Sequence, residues 1–230
     1  MKTIPIGGGG IARTVKLACL GMAMSCAFPA WANLIQNGSF ETPLVPIAGA
    51  STFAGGSSAI TGWTVVGFDV AIISSTFAQS GIVFQAKEGV QWADLSGASS
   101  NSMTNGLRQQ VATPGALYEL AFNVGSATGG QFFFPTTIDL SINGGPRTSY
   151  NNPTAPTTML DWKLFTVQFT ATSPTTSITF FNGSAGNNFT AALDDVSLTQ
   201  LTAAVPEPES YAMIGAGLAL IGWVARRRKK

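Results

Sequence analysis

The chain has 230 residues, with twelve Lys and Arg against eleven Asp and Glu, no histidine, and two cysteines, Cys19 and Cys26. Between residues 33 and 204 the balance becomes four basic against nine acidic residues, a net charge of −5, so the formal +1 of the whole chain comes from its two ends. Nucleic-acid binding is excluded, because gripping phosphates needs a basic surface; without His or Cys in that stretch, the usual nucleophile–base triads and disulfide cross-links are excluded as well.

Lys2, Arg13 and Lys16 precede an apolar run over 17–28, and Ala30-Trp31-Ala32 puts small residues at the two positions a signal peptidase reads. This is the pattern of a secretory signal peptide over 1–32, delivered to the Sec machinery, with Asn33 the first mature residue. The glycines at 7–10 fall inside this leader and form no phosphate loop. The stretch 33–204 suits one domain with a proper core.

That domain is rich in Gly, Ser, Thr, Asn, Phe and Val and has hardly any helix-favouring run. Short apolar or alternating stretches separated by turn residues predict an all-β sandwich or barrel. A strand pair is expected over 62–70, then strands over 89–95, 106–112, 117–124, 136–142, 160–170, 177–181 and 191–201. Asn143-Gly144-Gly145-Pro146 is a strong turn signal. The stretches 43–60 and 126–135 show no regular period; the second carries Phe132-Phe133-Phe134, of which two are expected in the core. Trp63 and Trp92 lie within strand patterns and read as core. Trp162, after a Pro/Thr-rich loop, and Tyr150, within Ser149-Tyr150-Asn151-Asn152, are the better candidates for exposed aromatic platforms that could hold a sugar.

The last residues fall into three parts: Val205-Pro206-Glu207-Pro208-Glu209-Ser210, an uncharged stretch over 211–225, and Arg226-Arg227-Arg228-Lys229-Lys230. The prolines favour an extended spacer. The apolar stretch, about 22 Å as a helix, is short for a membrane span, and the basic cluster adds a stop that keeps the C-terminus cytoplasmic. A membrane helix over 211–225 is the expectation.

The Pro206-Glu207-Pro208 step, the apolar run and the basic terminus together resemble the PEP-CTERM sorting signal of Gram-negative bacteria. The resemblance implies recognition at Pro206, Glu207 and Pro208 by an exosortase, a membrane protease-transpeptidase. It also implies export to the cell envelope or the extracellular matrix of organisms that make exopolysaccharide, with transient anchoring in the inner membrane. The alternative is a plain C-terminal anchor with a proline linker.

A second resemblance rests on the opening Asn33-Leu34-Ile35-Gln36-Asn37-Gly38-Ser39-Phe40-Glu41, on Thr61-Gly62-Trp63 and Trp92-Ala93-Asp94-Leu95-Ser96-Gly97, and on the closing Leu193-Asp194-Asp195-Val196. Together these are similar to the galactose-binding-like jelly-roll β-sandwich modules, which include carbohydrate-binding modules of xylanases and cellulases. The resemblance implies adjacent first and last strands and a structural calcium at their junction. Calcium takes about six to eight oxygen ligands, and Glu41 with Asp194, or Asp195 as alternate, would supply the charge. Period-2 alternation puts Asp194 on the face of Val196 and Leu198, taken as the core face, where a carboxylate needs a cation or hydrogen bonds. Otherwise these acids are ordinary strand-start residues at a turn.

The function these features imply is that of a non-catalytic, carbohydrate-binding protein of the envelope or matrix. A structural or adhesive protein with a protein partner is the alternative, and a polysaccharide-active enzyme a further one, since glycoside hydrolysis needs only two suitably placed carboxylates.

Overall fold

The computed structural model describes residues 32–98, 100–133, 135–184, 186, 190–201 and 208–227. Thirteen strands appear in chain order: β1 (Ala50–Ala54), β2 (Thr64–Val66), β3 (Asp69–Ser74), β4 (Ala78–Gln79), β5 (Ile82–Val83), β6 (Gln91–Asp94), β7 (Gly106–Ala112), β8 (Leu117–Ser126), β9 (Thr136–Ile142), β10 (Thr148–Asn152), β11 (Asp161–Thr170), β12 (Thr175–Asn182) and β13 (Ala192–Gln200). They form a six-stranded sheet, β1-β3-β6-β13-β8-β11, and a five-stranded sheet, β10-β9-β12-β7-β2; β4 and β5 make a small hairpin. The domain is an all-β sandwich, one of the two architectures that the turn-punctuated composition predicts, and its jelly-roll character is what the galactose-binding-like resemblance implies.

Alternation along the strands sets the core between the sheets. In β7, Leu107, Gln109 and Val111 are buried, while Arg108 and Gln110 are exposed. Phe40, Trp63, Phe122 and Phe180 meet as tilted and edge-on rings at the centre, with centroids 4.9–6.3 Å apart. Rings in such contact add about 0.5–1.5 kcal/mol per pair beyond the area they bury. The turn between β9 and β10 has positive φ at both Asn143 and Gly144, the geometry that an Asn-Gly pair adopts most readily in a tight hairpin.

The six-stranded sheet is covered on both faces at β3 and β6, whereas its edge strands β1 and β11 stay partly exposed. Every residue of β3 and of β6 is buried. Val70, Ile72 and Ala93 face the other sheet, whereas Ala71, Ile73 and Trp92 join a second cluster with Ile82, Phe84, Phe132 and Leu160. That outer layer is built by β4 and β5 and by chain segments near residues 84, 132 and 160, which carry no period of their own.

The two ends of the domain meet. Leu34 N–H donates to Leu198 O (2.8 Å), Val196 N–H donates to Gly38 O (3.0 Å), and the Asn33 Oδ1 accepts from Leu198 N–H (2.9 Å). Gln109 holds the same segment by exchanging two bonds with the backbone of Gln36. A Cβ on Gly38 would fall 1.9 Å from Val196 O, so only glycine fits there.

Several expectations are corrected. The strands in 62–70 do not pair with each other: β2 joins β7 and β3 joins β1 and β6, so Gly67, at φ +80°, carries the chain from one sheet to the other. The irregular 43–60 contains β1, and Tyr150 lies in β10, a strand too polar to show a period. Asp194 is not on the face of Val196 and Leu198. The β13–β8 register shifts between Asp194 and Ser197, with Asp195 at φ +51°, and this bulge turns Asp194 to the face opposite the core. Phe132 is buried and Phe133 exposed, while Phe134 lies outside the described residues, as do residues 1–31 of the expected signal peptide. The tail forms α1 (Pro208–Arg227), longer than the expected 211–225. Among the described residues no helix is long and apolar enough to cross a membrane.

Candidate functional site

The structure brings Glu41 and Asp194 to one loop, the approach to β6. Asp194 is fully buried; its Oδ2 accepts the N–H groups of Lys87 (2.7 Å) and Glu88 (3.0 Å), and its Oδ1 that of Asp195 (2.7 Å). Glu41 Oε1 accepts from Val90 (2.9 Å) and Gln91 (3.1 Å). Gly89, between the two clasped pairs, has φ +67°, and a Cβ there would lie 2.2 Å from Glu41 Oε1. Asp195 turns its Oδ2 to Asn123 Nδ2 (3.0 Å), and Ser39 Oγ donates to Glu88. Burial pushes the Asp194 carboxyl up to about 8 against the pull of its three N–H donors. Burial, with the Glu88 carboxylate close by, raises Asp195 as well.

A calcium at this junction would have to draw the Asp194 oxygens away from backbone N–H donors. The Asp194 oxygens already face backbone donors, and among the described residues no group of three or more His, Cys, Asp or Glu side chains is gathered so as to hold a metal ion. The carboxylates from the two ends act here as acceptors for one loop.

Trp162 and Tyr150 are not brought together. Trp162 sits edge-on against Trp92 (6.1 Å) and donates its indole N–H to Gln85 O (2.9 Å), so it supports the outer layer. Tyr150 packs edge-on against Phe122 and Phe165 and lines a cleft of about 170 Å³ with Leu140, Ile142, Pro146, Thr148 and Val167. Of the sorting residues, Pro206 and Glu207 lie outside the described residues, and Pro208 begins α1.

A larger pocket, about 230 Å³, lies on the outer face of the six-stranded sheet. Ala71, Ile73 and Trp92 are its buried sheet residues; Phe77, Phe84 and Phe132 wall it; Ala50, Gln79, Ala98 and Gln131 are its exposed residues, with Gly97 and Asp94 completing the lining. Phe84 and Phe132 stand edge to face at 4.8 Å, and Trp92 gives its indole N–H to Phe84 O (2.9 Å). Asp94 is 8% exposed. Its Oδ1 accepts from Ser96 N–H (3.0 Å), Ser96 Oγ (2.7 Å) and Ala191 N–H (3.0 Å); its Oδ2 has no partner among the described residues. Burial raises its carboxyl to about 6, and the nearby Asp69 carboxylate adds to the rise. An apolar floor with a few converging polar groups is the usual form of a small-ligand site. In the sequence Asp94 stands in the strand expected over 89–95 and in one of the stretches that carry the jelly-roll resemblance, with no ligand role assigned, and Phe132 reads only as one of an aromatic triple; the lining is assembled from segments distant in the chain.

Residues 33–199 match the family described as "Protein of unknown function (DUF642)", and residues 204–229 match the PEP-CTERM protein-sorting motif. No protein with curated annotation matches the chain. Among solved structures, TmCBM61 in complex with β-1,4-galactotriose is 19% identical, with a TM-score of 0.45 over 74% of this chain and 99% of that one. The CBM22-1 xylan-binding domain of Paenibacillus barcinonensis Xyn10C is 16% identical, with a TM-score of 0.42 over 69% and 97%. An exo-β-1,3-galactanase from Phanerochaete chrysosporium is 18% identical at a TM-score of 0.38, and the match spans 65% of this chain and 29% of the galactanase.

Proposed function

The chain belongs to the DUF642 family and ends in a PEP-CTERM sorting motif, and from this we propose an exported, exosortase-sorted protein of the cell envelope or extracellular matrix that binds carbohydrate without cleaving it. The observation that carries the binding part is the outer-face pocket, where aromatic walls meet two amide side chains and a carboxylate with a free oxygen. Apolar walls suit the C–H faces of a sugar ring, and amides, which both donate and accept, suit its hydroxyls. Binding rather than hydrolysis is favoured because glycosidases use two carboxyls flanking the bond, and Asp94 is the one acid among the described lining residues.

Export starts at the Sec machinery. The basic terminus then holds the tail transiently at the inner membrane with its end in the cytoplasm. An exosortase acts at Pro206-Glu207-Pro208, so the mature mass lacks 211–230. Intact-mass analysis with and without the exosortase checks this, and identical masses refute it. The test of binding is retention of the purified chain on the host exopolysaccharide after protease treatment of that matrix, together with a glycan array. Retention that disappears with the protease favours the adhesive, protein-binding reading. Absence of binding to any glycan refutes the proposal.

A further inference from the structure

We propose that the outer-face pocket takes a single, terminal, uncharged sugar ring, and that the free Oδ2 of Asp94 accepts a hydrogen bond from its hydroxyls. This rests on the carbohydrate-binding reading and adds which part of a glycan is read and which charge is refused.

The carboxylate supplies the first argument. Asp94 is more than nine-tenths buried, and all three of its donors converge on Oδ1. An ionised carboxylate only accepts hydrogen bonds. Asp94 Oδ2 has no protein donor among the described residues and is not one of the sealed-off, unpaired side-chain atoms, so it is open to the pocket, where a ligand hydroxyl can take the place of water. Asp94 lines the pocket, so a ligand entering there can satisfy that oxygen with an O–H group. The bond, to a charged acceptor in a sheltered place, belongs to the stronger class.

Size supplies the second. At about 230 Å³ the pocket is smaller than the roughly 300–1,000 Å³ of sites that enclose drug-sized ligands. It accommodates one ring with its hydroxyls. Trp92 on the sheet and the walls Phe84 and Phe132 are buried, with exposures of 1%, 2% and 5%, while Gln79 and Gln131 are exposed. A ring enters end-on from the open side, with the rest of the glycan outside.

Charge supplies the third. No Lys or Arg is among the described lining residues, and the domain as a whole carries −5. A uronate or a sulfated ring would meet the Asp94 carboxylate without a cation to offset the repulsion, so a neutral ring is selected. Exposed Gln79 and Gln131 then discriminate among neutral sugars through hydroxyl geometry.

The test uses isothermal titration of the purified full chain. The probes are methyl glycosides of glucose, galactose, mannose and xylose, β-linked oligomers of each, and the corresponding hexuronates. One neutral glycoside is expected to bind. Oligomers ending in the same sugar bind within about threefold of it, and its uronate at least about tenfold more weakly. Asp94→Asn weakens binding by about tenfold or more, as expected for a hydrogen bond to a charged group. Gln131→Ala, at the exposed rim, weakens it a few-fold with an unchanged melting temperature. Affinity that climbs with oligomer length, a preference for uronates, or unaltered binding in both variants overturns the inference and leaves the glycan reading in place. No binding to any probe or to any glycan on an array overturns both.

Discussion

Removing the Asp194 side chain should loosen the approach to β6. In Asp194→Ala three backbone N–H groups, at Lys87, Glu88 and Asp195, lose an acceptor at 2.7–3.0 Å. Burial raises this carboxyl to about 8, so at neutral pH it is mainly the neutral acid and each bond counts at about 0.5–1.5 kcal/mol. The sum is offset in part, because the variant no longer buries a carboxyl and because Lys87 and Glu88 are exposed enough for water to take their amides. A net loss of about 2 kcal/mol is expected, or a melting temperature lower by about 4–8 °C for a domain of this size. Glu41→Ala removes two bonds at a half-buried carboxyl and should cost about 1 kcal/mol. Both carboxylates hold the same loop, so the double variant should lose less than the sum, with a coupling of about 0.5–1 kcal/mol. Calorimetric melting of the four proteins, in EDTA and in excess calcium, measures all of this. The clasp by itself predicts melting temperatures that do not depend on calcium. An Asp194→Ala loss below about 1 kcal/mol with strict additivity refutes the clasp, and a calcium-dependent rise in wild type that both variants lose assigns the junction to a metal.

Gly38→Ala drives a methyl group against Val196 O where the chain ends meet, and should destabilise by about 2–3 kcal/mol in denaturant unfolding; a neutral result would mean the ends are not in contact. Asp94, raised from 3.8 to about 6, favours the folded state fully below its unfolded pKa, and that contribution fades as pH rises through 6. Its share is at most about 3 kcal/mol, so the stability difference between wild type and Asp94→Asn should change between about pH 4 and pH 7. A constant difference across that range would refute the burial argument.

The strands were legible where local chemistry and tertiary position agree. Residues 106–112 and 136–142 alternate or run apolar between clear turn residues and became β7 and β9 without adjustment, and Asn143-Gly144 closed a hairpin as its φ preference demands. The site was less legible. Period-2 reasoning assumes an unbroken ladder, and the bulge at Asp195 moved Asp194 across the sheet. Trp162 follows a loop yet is held by an indole bond to Gln85 O, a contact 77 positions away that no local pattern encodes. The pocket depends on Gln79, Phe84 and Gln131, contributed by chain outside the main strands and meeting only because the sheet beneath gives them a common floor.

A pull on the tail enters the sandwich through Gln200 and Leu201 and runs the length of β13. That strand lies inside its sheet, with β8 beside it from Ala192 to Gln200 and β6 meeting it at Ala192 and Leu193. Antiparallel ladder bonds stand perpendicular to the strands, so tension along β13 loads its rungs with β8 in shear, many at once, instead of peeling them one by one. Ala192, at the far end, pairs with Asp94. A domain tethered by its tail and gripping a polymer at its pocket would therefore transmit force through its best-supported strand directly to the residue beneath the ligand, leaving the peripheral β1, β2 and β10 outside the line of tension.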